Sequence, residues 1–169
     1  MISKEELGLA EKCVELSMKE GATHCRVTIN KSTSDLLDTL NGEVDKVTHC
    51  LDRSLSLSLF IDGKFASFST NRLDEKELAG FVHTSAEITR VLETDNCRAL
   101  PAPDRCCKSA LSGTEMELYD PEYEQMDSER RKELALSHCL DLARPHEGFR
   151  IISEEGQYSD SEFDSITID

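Results

Sequence analysis

The sequence predicts an α+β fold: an antiparallel β-meander of about five strands with helices packed on it, followed by a long connection, a third helix and further strands. Leucine alternates with polar residues along residues 54–61, which is the period of a strand with one buried face. The pairs Asn41-Gly42 and Asp62-Gly63 favour tight hairpin turns, because these residue types tolerate positive φ angles. After residue 73 the hydrophobic period becomes helical, which predicts a helix lying across the sheet.

The hairpin at residues 54–70 organises the predicted meander. A two-residue turn at Asp62-Gly63 places the leucines opposite apolar residues of the returning strand. A one-residue slip would turn every leucine out to water, so the register is expected to be unique. The expected pairs are Leu59 with Ala66, Leu57 with Phe68, Phe60 with Phe65 and Ser58 with Ser67. The expected shared core consists of Ile29, Leu57, Leu59, Phe68 and Phe81.

Caps and turn residues predict the elements around this hairpin. Ser3 and Glu6 have the spacing of a capping box, so a first helix is expected to begin there and to stop at Gly21. Further strands are expected at residues 24–30, 36–40 and 44–51. Asp74 is expected to cap a second helix within residues 73–94. Its predicted apolar face consists of Leu78, Phe81, Ser85, Ile88 and Leu92, bordered by Val82 and Thr89.

The second half of the sequence has weaker periodicity. Residues 95–126 predict a long extended connection, with a short strand near residues 115–119. Asp127 or Ser128 is expected to cap a third helix that ends at Arg144-Pro145. Residues 149–153 and 165–169 have strand character, whereas residues 154–164 predict a polar turn or irregular ribbon. The apolar stripe of the third helix is expected to be Leu134, Ala135, His138 and Leu142.

These elements suggest three regions. Residues 1–95 are expected to form a helix–meander–helix core, and residues 96–126 an extended connection. Residues 127–169 are expected to begin a region that continues into a further C-terminal domain. This expectation comes from residues 165–169, in which apolar and polar residues alternate as in a strand and no cap or polar tail follows.

Composition narrows the functional classes. Lys and Arg number 19 against 34 Asp and Glu, for a formal net charge of −15, which predicts no direct binding to DNA or RNA. No apolar run approaches the roughly 20 residues of a membrane span, and the N-terminus lacks the apolar core of a signal peptide. The seven cysteines include no CxxC pair, which predicts reduced thiols and a cytoplasmic location.

Three histidine–cysteine dipeptides raise the possibility of zinc binding: His24-Cys25, His49-Cys50 and His138-Cys139. Adjacent side chains on a strand point to opposite faces, so one dipeptide rarely supplies both ligands, and we expect no metal site. The pair Cys106-Cys107 lies between Arg105 and Lys108, charges that can lower a thiol pKa, but ordinary loop thiols are the more frequent interpretation.

The motifs of known enzyme sites are absent from the sequence. It contains no HExxH helix, Gly-rich phosphate loop or GxSxG turn, and acidic pairs such as Glu154-Glu155 are expected on solvated faces. No catalytic, cofactor-binding or metal-binding residue is therefore predicted in this chain, which is expected to hydrolyse no peptide by itself.

Several segments, taken in order, resemble the N-terminal domain of the TldD/PmbA family, whose members are often called modulators of DNA gyrase. They are a helix ending in Gly-Ala, the strand after it, the NGEV turn, the hairpin DRSLSLSLFIDGKFASFSTNRL, the LPAP loop and the segment RIISEEGQYSDSEF. The resemblance spans nearly the whole chain and rests on the shared order of these structural motifs. Two features of this sequence depart from the family pattern. Asp35 and Asp38 occupy positions where relatives tend to have uncharged or basic residues, and the cysteine content is unusually high.

The resemblance implies a cytosolic peptidase assembly of two related subunits that degrades or trims peptides. One subunit carries a zinc motif of the HExxxH type in its C-terminal half, and the other, PmbA-like or TldE, lacks it. The NGEV and LPAP segments look more similar to the PmbA side. The implied partners are a TldD-like catalytic subunit or a second copy of this chain, with peptides as substrates and zinc in the catalytic subunit.

A second functional class stays open beside this one. The chain is alternatively a stand-alone acidic protein-interaction module without an enzymatic role. The reading frame beyond Asp169 discriminates between the two, since a further domain favours the peptidase subunit and a stop codon favours the module.

Overall fold

The structure is a computed structural model that describes residues 2–106, 113–142, 144 and 147–169. Four strands form one antiparallel sheet in the order β3-β2-β1-β4, which confirms the α+β class. In chain order the helices and strands are α1 (Lys4–Lys19), β1 (His24–Leu40), β2 (Glu43–Ile61), β3 (Lys64–Thr70), α2 (Glu75–Arg90), α3 (Ser128–Ser137) and β4 (Glu155–Ile168). Short 3₁₀ turns occupy Pro103–Arg105, Thr114–Met116 and Pro121–Gln125. No helix in the described part is long and apolar enough to cross a membrane.

The sheet has four strands, not the five or so that were predicted, because two strands are unusually long. β1 joins the predicted strands 24–30 and 36–40, and β2 joins 44–51 and 54–61. The residues between them contain neither glycine nor proline, so nothing in their backbone forces a turn.

The central hairpin has the predicted register. Leu57 is paired with Phe68, Ser58 with Ser67, Leu59 with Ala66 and Phe60 with Phe65. Both turn residues have positive φ, 51° at Asp62 and 73° at Gly63, as a type I′ turn requires. The Asn41-Gly42 turn has the same signs, 51° and 82°.

The chain divides into two compact units. The first comprises Met1–Ser32, Asp52–Ala110 and Phe163–Asp169. Its core lies between the leucine face of the sheet and helices α1 and α2. Phe68 and Phe81 are partly buried against this cluster, so the predicted shared core is confirmed. The buried residues include Ala10, Cys13, Val27, Ile29, Leu55, Leu57, Leu59, Ile61, Leu78, Val82 and Ala86.

The caps of the first two helices follow the sequence. The Ser3 hydroxyl accepts a hydrogen bond from the Glu6 backbone N–H at 3.1 Å, and the Glu6 carboxylate accepts one from the Ser3 N–H at 2.8 Å. The Asp74 carboxylate caps α2 by accepting from the Lys76 N–H at 2.8 Å. Gly21 follows α1 with a φ of 86°, a conformation that favours glycine.

The buried face of α2 is rotated from the predicted one. Ile88 and Leu92 are exposed, whereas Val82 and Thr89, predicted at the border, are fully buried. Thr89 can be buried because its hydroxyl donates to the backbone carbonyl of Ser85 at 2.7 Å. The side chain of Ser17 on α1 bonds the carbonyl of Cys13 in the same way, at 2.8 Å. Hydropathy ranks such residues as polar, although this internal hydrogen bond lets them pack like small apolar residues.

The second unit comprises Thr33–Leu51 and Leu111–Glu162. Its helix α3 is capped by Asp127, as predicted, through a 2.8 Å hydrogen bond from the Arg130 N–H. The helix ends at Ser137, earlier than predicted, with His138 exposed at its C-terminus. Pro145, part of the predicted stop, lies outside the described residues.

Three predictions about strands and loops in this half of the chain are wrong. Residues 155–164, predicted as an irregular ribbon, belong to β4. The predicted strand at residues 149–153 is not part of any named strand, and the one near residues 115–119 is replaced by a 3₁₀ turn followed by Glu117 with a φ of 54°. Hydropathy does not reveal β4, because its inward positions include polar residues such as Tyr158 and Asp160. Inward and outward side chains alternate along this strand, but apolar and polar residues do not.

Candidate functional site

A largely buried charged cluster surrounds Arg131 in the second unit. The guanidinium binds Asp160 through two hydrogen bonds, Nε to Oδ2 at 2.7 Å and Nη2 to Oδ1 at 3.2 Å. Its Nη2 also lies 3.4 Å from Oδ2 of Asp35. Each of these three side chains is only 12% exposed. One guanidinium on α3 therefore compensates two carboxylates, one on β1 and one on β4.

Aromatic and backbone groups complete the surroundings of Arg131. The Tyr123 hydroxyl donates to Asp160 Oδ1 at 3.0 Å, and the guanidinium carbon lies 5.8 Å from the Tyr123 ring centre. Arg131 Nη1 donates to the carbonyl of Met126 at 2.7 Å. A planar guanidinium with donors in several fixed directions holds one orientation when all are used, so the cluster fixes α3 and the 3₁₀ turn beside it.

The environment sets the charge state of the cluster. Burial raises the pKa of Asp160, but hydrogen bonds from Arg131, Tyr123 and Tyr158 outweigh it and hold this pKa below its usual value of 3.8. The hydrogen bond to Asp160 is also the main cause of the raised pKa of Arg131. Burial, and then the bond to Asp160, raises the pKa of Tyr123. The cluster is consequently an ion pair at neutral pH.

Such an arrangement is poorly suited to catalysis. A general base needs a pKa near the working pH, whereas Asp160 is held fully ionised and Tyr123 fully protonated. On the outer side of the cluster, His49 Nδ1 lies 2.7 Å from Asp35 Oδ1, with the imidazole 54% exposed. A cavity of about 800 Å³ adjoins Asp160, but carboxylates dominate its lining. The geometry supports a structural clamp in preference to a reaction centre.

The depressed pKa of Asp160 predicts a pH dependence of stability. A carboxyl whose pKa is lower in the folded state stabilises the fold above its unfolded pKa, and this contribution is lost as pH falls through the folded value. We expect Asp160→Asn to destabilise the chain at pH 7, with the difference from the unaltered chain shrinking below about pH 4. Urea unfolding of both proteins between pH 7 and 3 measures this. A difference that grows as the pH falls would contradict it.

The first unit contains an apolar groove of about 990 Å³. Val14, Met18, Phe60, Leu100 and Ile168 line it, and Asp169 lies at one side. Arg26 binds Asp169 in a bidentate manner, at 2.5 Å from Nε and 2.7 Å from Nη2. This contact is the main cause of the lowered pKa of Asp169. The groove thus offers an apolar surface and no uncompensated charge from this pair.

The predicted cysteine pair borders this groove only in part. Cys106 Sγ lies 3.7 Å from Asp169 Oδ2, which is a carboxylate and not the histidine that a catalytic thiol requires. Cys107 lies outside the described residues, so the pair as such is not described.

The structure separates the members of each histidine–cysteine dipeptide on the strands. His24 is exposed, and its ring meets the Phe60 ring edge-on with 6.4 Å between the ring centres. Cys25, by contrast, is buried. His49 bonds Asp35, while Cys50 is exposed. Burial raises the pKa of Cys25 and raises that of Cys13 to about 12, which makes both thiols inert.

The third dipeptide, at the end of α3, also supplies no ligand pair. His138 is exposed, and Cys139 Sγ lies 3.7 Å from the Thr39 hydroxyl. Within the described ranges, no group of three or more histidine, cysteine or acidic side chains is placed to hold a metal ion.

Sequence reasoning missed the Arg131 cluster. Arg131 lies in the basic run Arg130-Arg131-Lys132, a pattern typical of a solvated surface, and Asp35 stands out in the sequence only as a departure from the family pattern. The available signal was the position of Arg131, four residues before Ala135 on the buried face of α3.

Neither a family model nor a curated protein sequence matches the chain. Solved structures do match it. A proposed modulator of DNA gyrase from Bacteroides thetaiotaomicron is 29% identical, with a TM-score of 0.88 over 99% of this chain and 37% of that one. The chain has a TldD/PmbA-like fold. It spans little more than a third of that neighbour's length, 37%.

Two more distant structures share the TldD/PmbA-like fold. A proposed modulator of DNA gyrase from Thermotoga maritima is 15% identical, with a TM-score of 0.67 over 96% of this chain and 34% of that one. TldE from Thermococcus kodakarensis is 12% identical, with a TM-score of 0.57 over 94% of this chain and 34% of that one. At these identities the likeness is one of fold alone.

Proposed function

We propose that this chain is the N-terminal, non-catalytic portion of a subunit of a TldD/PmbA-type zinc metalloprotease complex, which degrades or matures peptides and proteins in the cytoplasm. The observation that carries the proposal is the likeness to the Bacteroides protein, which covers 99% of this chain but 37% of that one. The TldE name of another neighbour favours a subunit that works beside a TldD-like catalytic partner.

The described side chains support a scaffolding role within such a complex. Asp35 and Asp160 are both engaged by Arg131, and Asp169 is engaged by Arg26, so these three carboxylates serve structural ion pairs. Among the described residues, no group of three or more cysteine, histidine or acidic side chains could hold a zinc ion. Peptide-bond hydrolysis requires a nucleophile or a metal-activated water, which we assign to another part of the complex.

A reconstitution assay tests this proposal. Unstructured peptides are incubated with the chain, with the full-length subunit that the proposal assigns it to, and with that subunit plus a TldD-like subunit from the same organism. We expect no cleavage by the chain alone, and chelator-sensitive cleavage that is at least about tenfold faster with both subunits than with the catalytic subunit alone. An unrelated acidic protein of similar size replaces the full-length subunit as the control.

Two outcomes oppose the proposal. Chelator-sensitive cleavage by the chain alone would show that it is catalytic. Unchanged cleavage, together with no association between the two proteins, would favour the stand-alone interaction module.

A further inference from the structure

The apolar groove of the first unit has the size and lining of a small-molecule site. Its volume of about 990 Å³ lies within the roughly 300–1,000 Å³ that is usual for ligand pockets. Every residue that lines it belongs to the first unit. Its walls come from α1, from the start of β1, from the ends of β2 and β4, and from the connection after α2. Such pockets are mostly apolar and contain a few polar groups, which decide the class of ligand.

The connection that forms one wall of the groove is held at both of its ends. The Asp95 backbone N–H donates to the carbonyl of Gly63 at 2.9 Å, which ties the connection to the hairpin turn. At the other end, Cys106 Sγ lies 3.7 Å from Asp169 Oδ2. The LPAP segment between these points contains two prolines, which restrict the backbone. A wall that is held in this way lowers the entropic cost of binding a ligand.

The two carboxylates that the described residues place at the groove already have partners. Asp169 is bound by Arg26 in a bidentate manner. Asp95 Oδ1 accepts a hydrogen bond from the Cys97 backbone N–H at 3.0 Å, and Asp95 Oδ2 lies 3.2 Å from Arg98 Nε. Neither carboxylate therefore requires a cation from a ligand.

Arg98, by contrast, has hydrogen-bond donors that remain free. It uses Nε for Asp95, and its guanidinium carbon lies 4.6 Å from the centre of the Phe65 ring, a contact that favours one orientation of the guanidinium. Its two terminal nitrogens have no hydrogen-bond partner within the described part of the chain. The side chain is 59% exposed, so a ligand in the groove can reach these nitrogens. The free polar groups thus favour an anionic ligand.

We propose that this groove binds a small carboxylic acid with an apolar body, whose carboxylate accepts hydrogen bonds from the terminal nitrogens of Arg98. One guanidinium can bind two carboxylates, as Arg131 does in the second unit, so Arg98 keeps Asp95 while it binds the ligand. The apolar body of the ligand packs against the apolar lining. The net charge of −15 disfavours anions at long range, so the affinity comes from these local contacts. The site lies in the first unit alone and does not depend on the peptidase proposal.

Isothermal titration calorimetry with octanoic acid and octan-1-ol tests the class of ligand. We expect one octanoate to bind per chain, at least about tenfold tighter than the alcohol, because only the acid offers Arg98 an anion with two oxygens. Arg98→Gln should weaken octanoate binding at least about tenfold and leave the weaker binding of the alcohol unchanged. Arg72→Gln is the matched control, because Arg72 is 73% exposed and pairs with Glu77 away from the groove. It should leave both affinities unchanged.

Cysteine alkylation tests the location of the bound acid. Cys106 lines the groove, whereas Cys50 is exposed in the second unit. Octanoate should slow the reaction of Cys106 with iodoacetamide at least about fivefold and leave that of Cys50 unchanged, as measured by mass spectrometry of peptides. Absence of octanoate binding, equal affinities for acid and alcohol, equal effects of the two arginine variants, or an unprotected Cys106 would each overturn the proposal. A leucine-terminated tripeptide that binds tighter than octanoate would overturn it in favour of a peptide site.

Discussion

Replacing Leu57 or Leu59 with alanine is expected to lower the free energy of unfolding by about 2–5 kcal/mol. Both side chains are fully buried between the sheet and helices α1 and α2. Their backbone positions are fixed by the hairpin register, in which Leu57 pairs with Phe68 and Leu59 with Ala66. A side chain held in this way leaves a cavity when it is shortened, because its neighbours cannot move inward freely. Urea unfolding followed by circular dichroism measures the change.

Leu118→Ala is the matched control for these substitutions. Leu118 lies in the second unit with 72% of its surface exposed, so its truncation should change the free energy of unfolding by less than about 0.5 kcal/mol. If Leu57→Ala and Leu59→Ala are as mild as this control, the leucine face is not the centre of the core.

The hairpin could be predicted from sequence because several independent signals agreed. The alternation of residues 54–61, the Asp62-Gly63 turn and the apolar residues of the returning strand all require the same register. The capping residues Ser3 and Asp74 were equally visible, since a cap is a local interaction between neighbours in sequence. Local chemistry of this kind needs no knowledge of the tertiary fold.

The Arg131 cluster could not be predicted because its members are distant in sequence. Asp35, Arg131 and Asp160 come from three separate elements, and each of them taken alone is typical of a solvated surface. β4 was missed for a related reason, since Asp160 and Tyr158 occupy inward positions where hydropathy predicts apolar residues. A buried polar network becomes visible only once the fold has brought its members together.

The largest effect in the second unit is expected from Arg131→Met. The substitution keeps most of the side-chain volume but removes the charge that compensates Asp35 and Asp160. Two neighbouring carboxylates that are each 12% exposed then repel each other and lack their hydrogen-bond donors. We expect a loss of about 2–4 kcal/mol, at the lower end of the range for a broken buried ion pair because some solvent screening remains.

Tyrosine fluorescence reports this loss from the affected unit. The chain has no tryptophan, and its three tyrosines, Tyr119, Tyr123 and Tyr158, all belong to the second unit. The unfolding curve measured by this signal should therefore move to lower urea concentration in Arg131→Met.

Arg130→Met provides the matched control, because Arg130 neighbours Arg131 in sequence but is 56% exposed and pairs only with Glu133 among the contacts described. Its loss should amount to about 0–1 kcal/mol, the usual contribution of a surface ion pair. Adding Asp160→Asn to Arg131→Met removes one of the two uncompensated charges and should recover part of the stability. Equal effects of Arg130→Met and Arg131→Met would show that the cluster does not hold α3 in place.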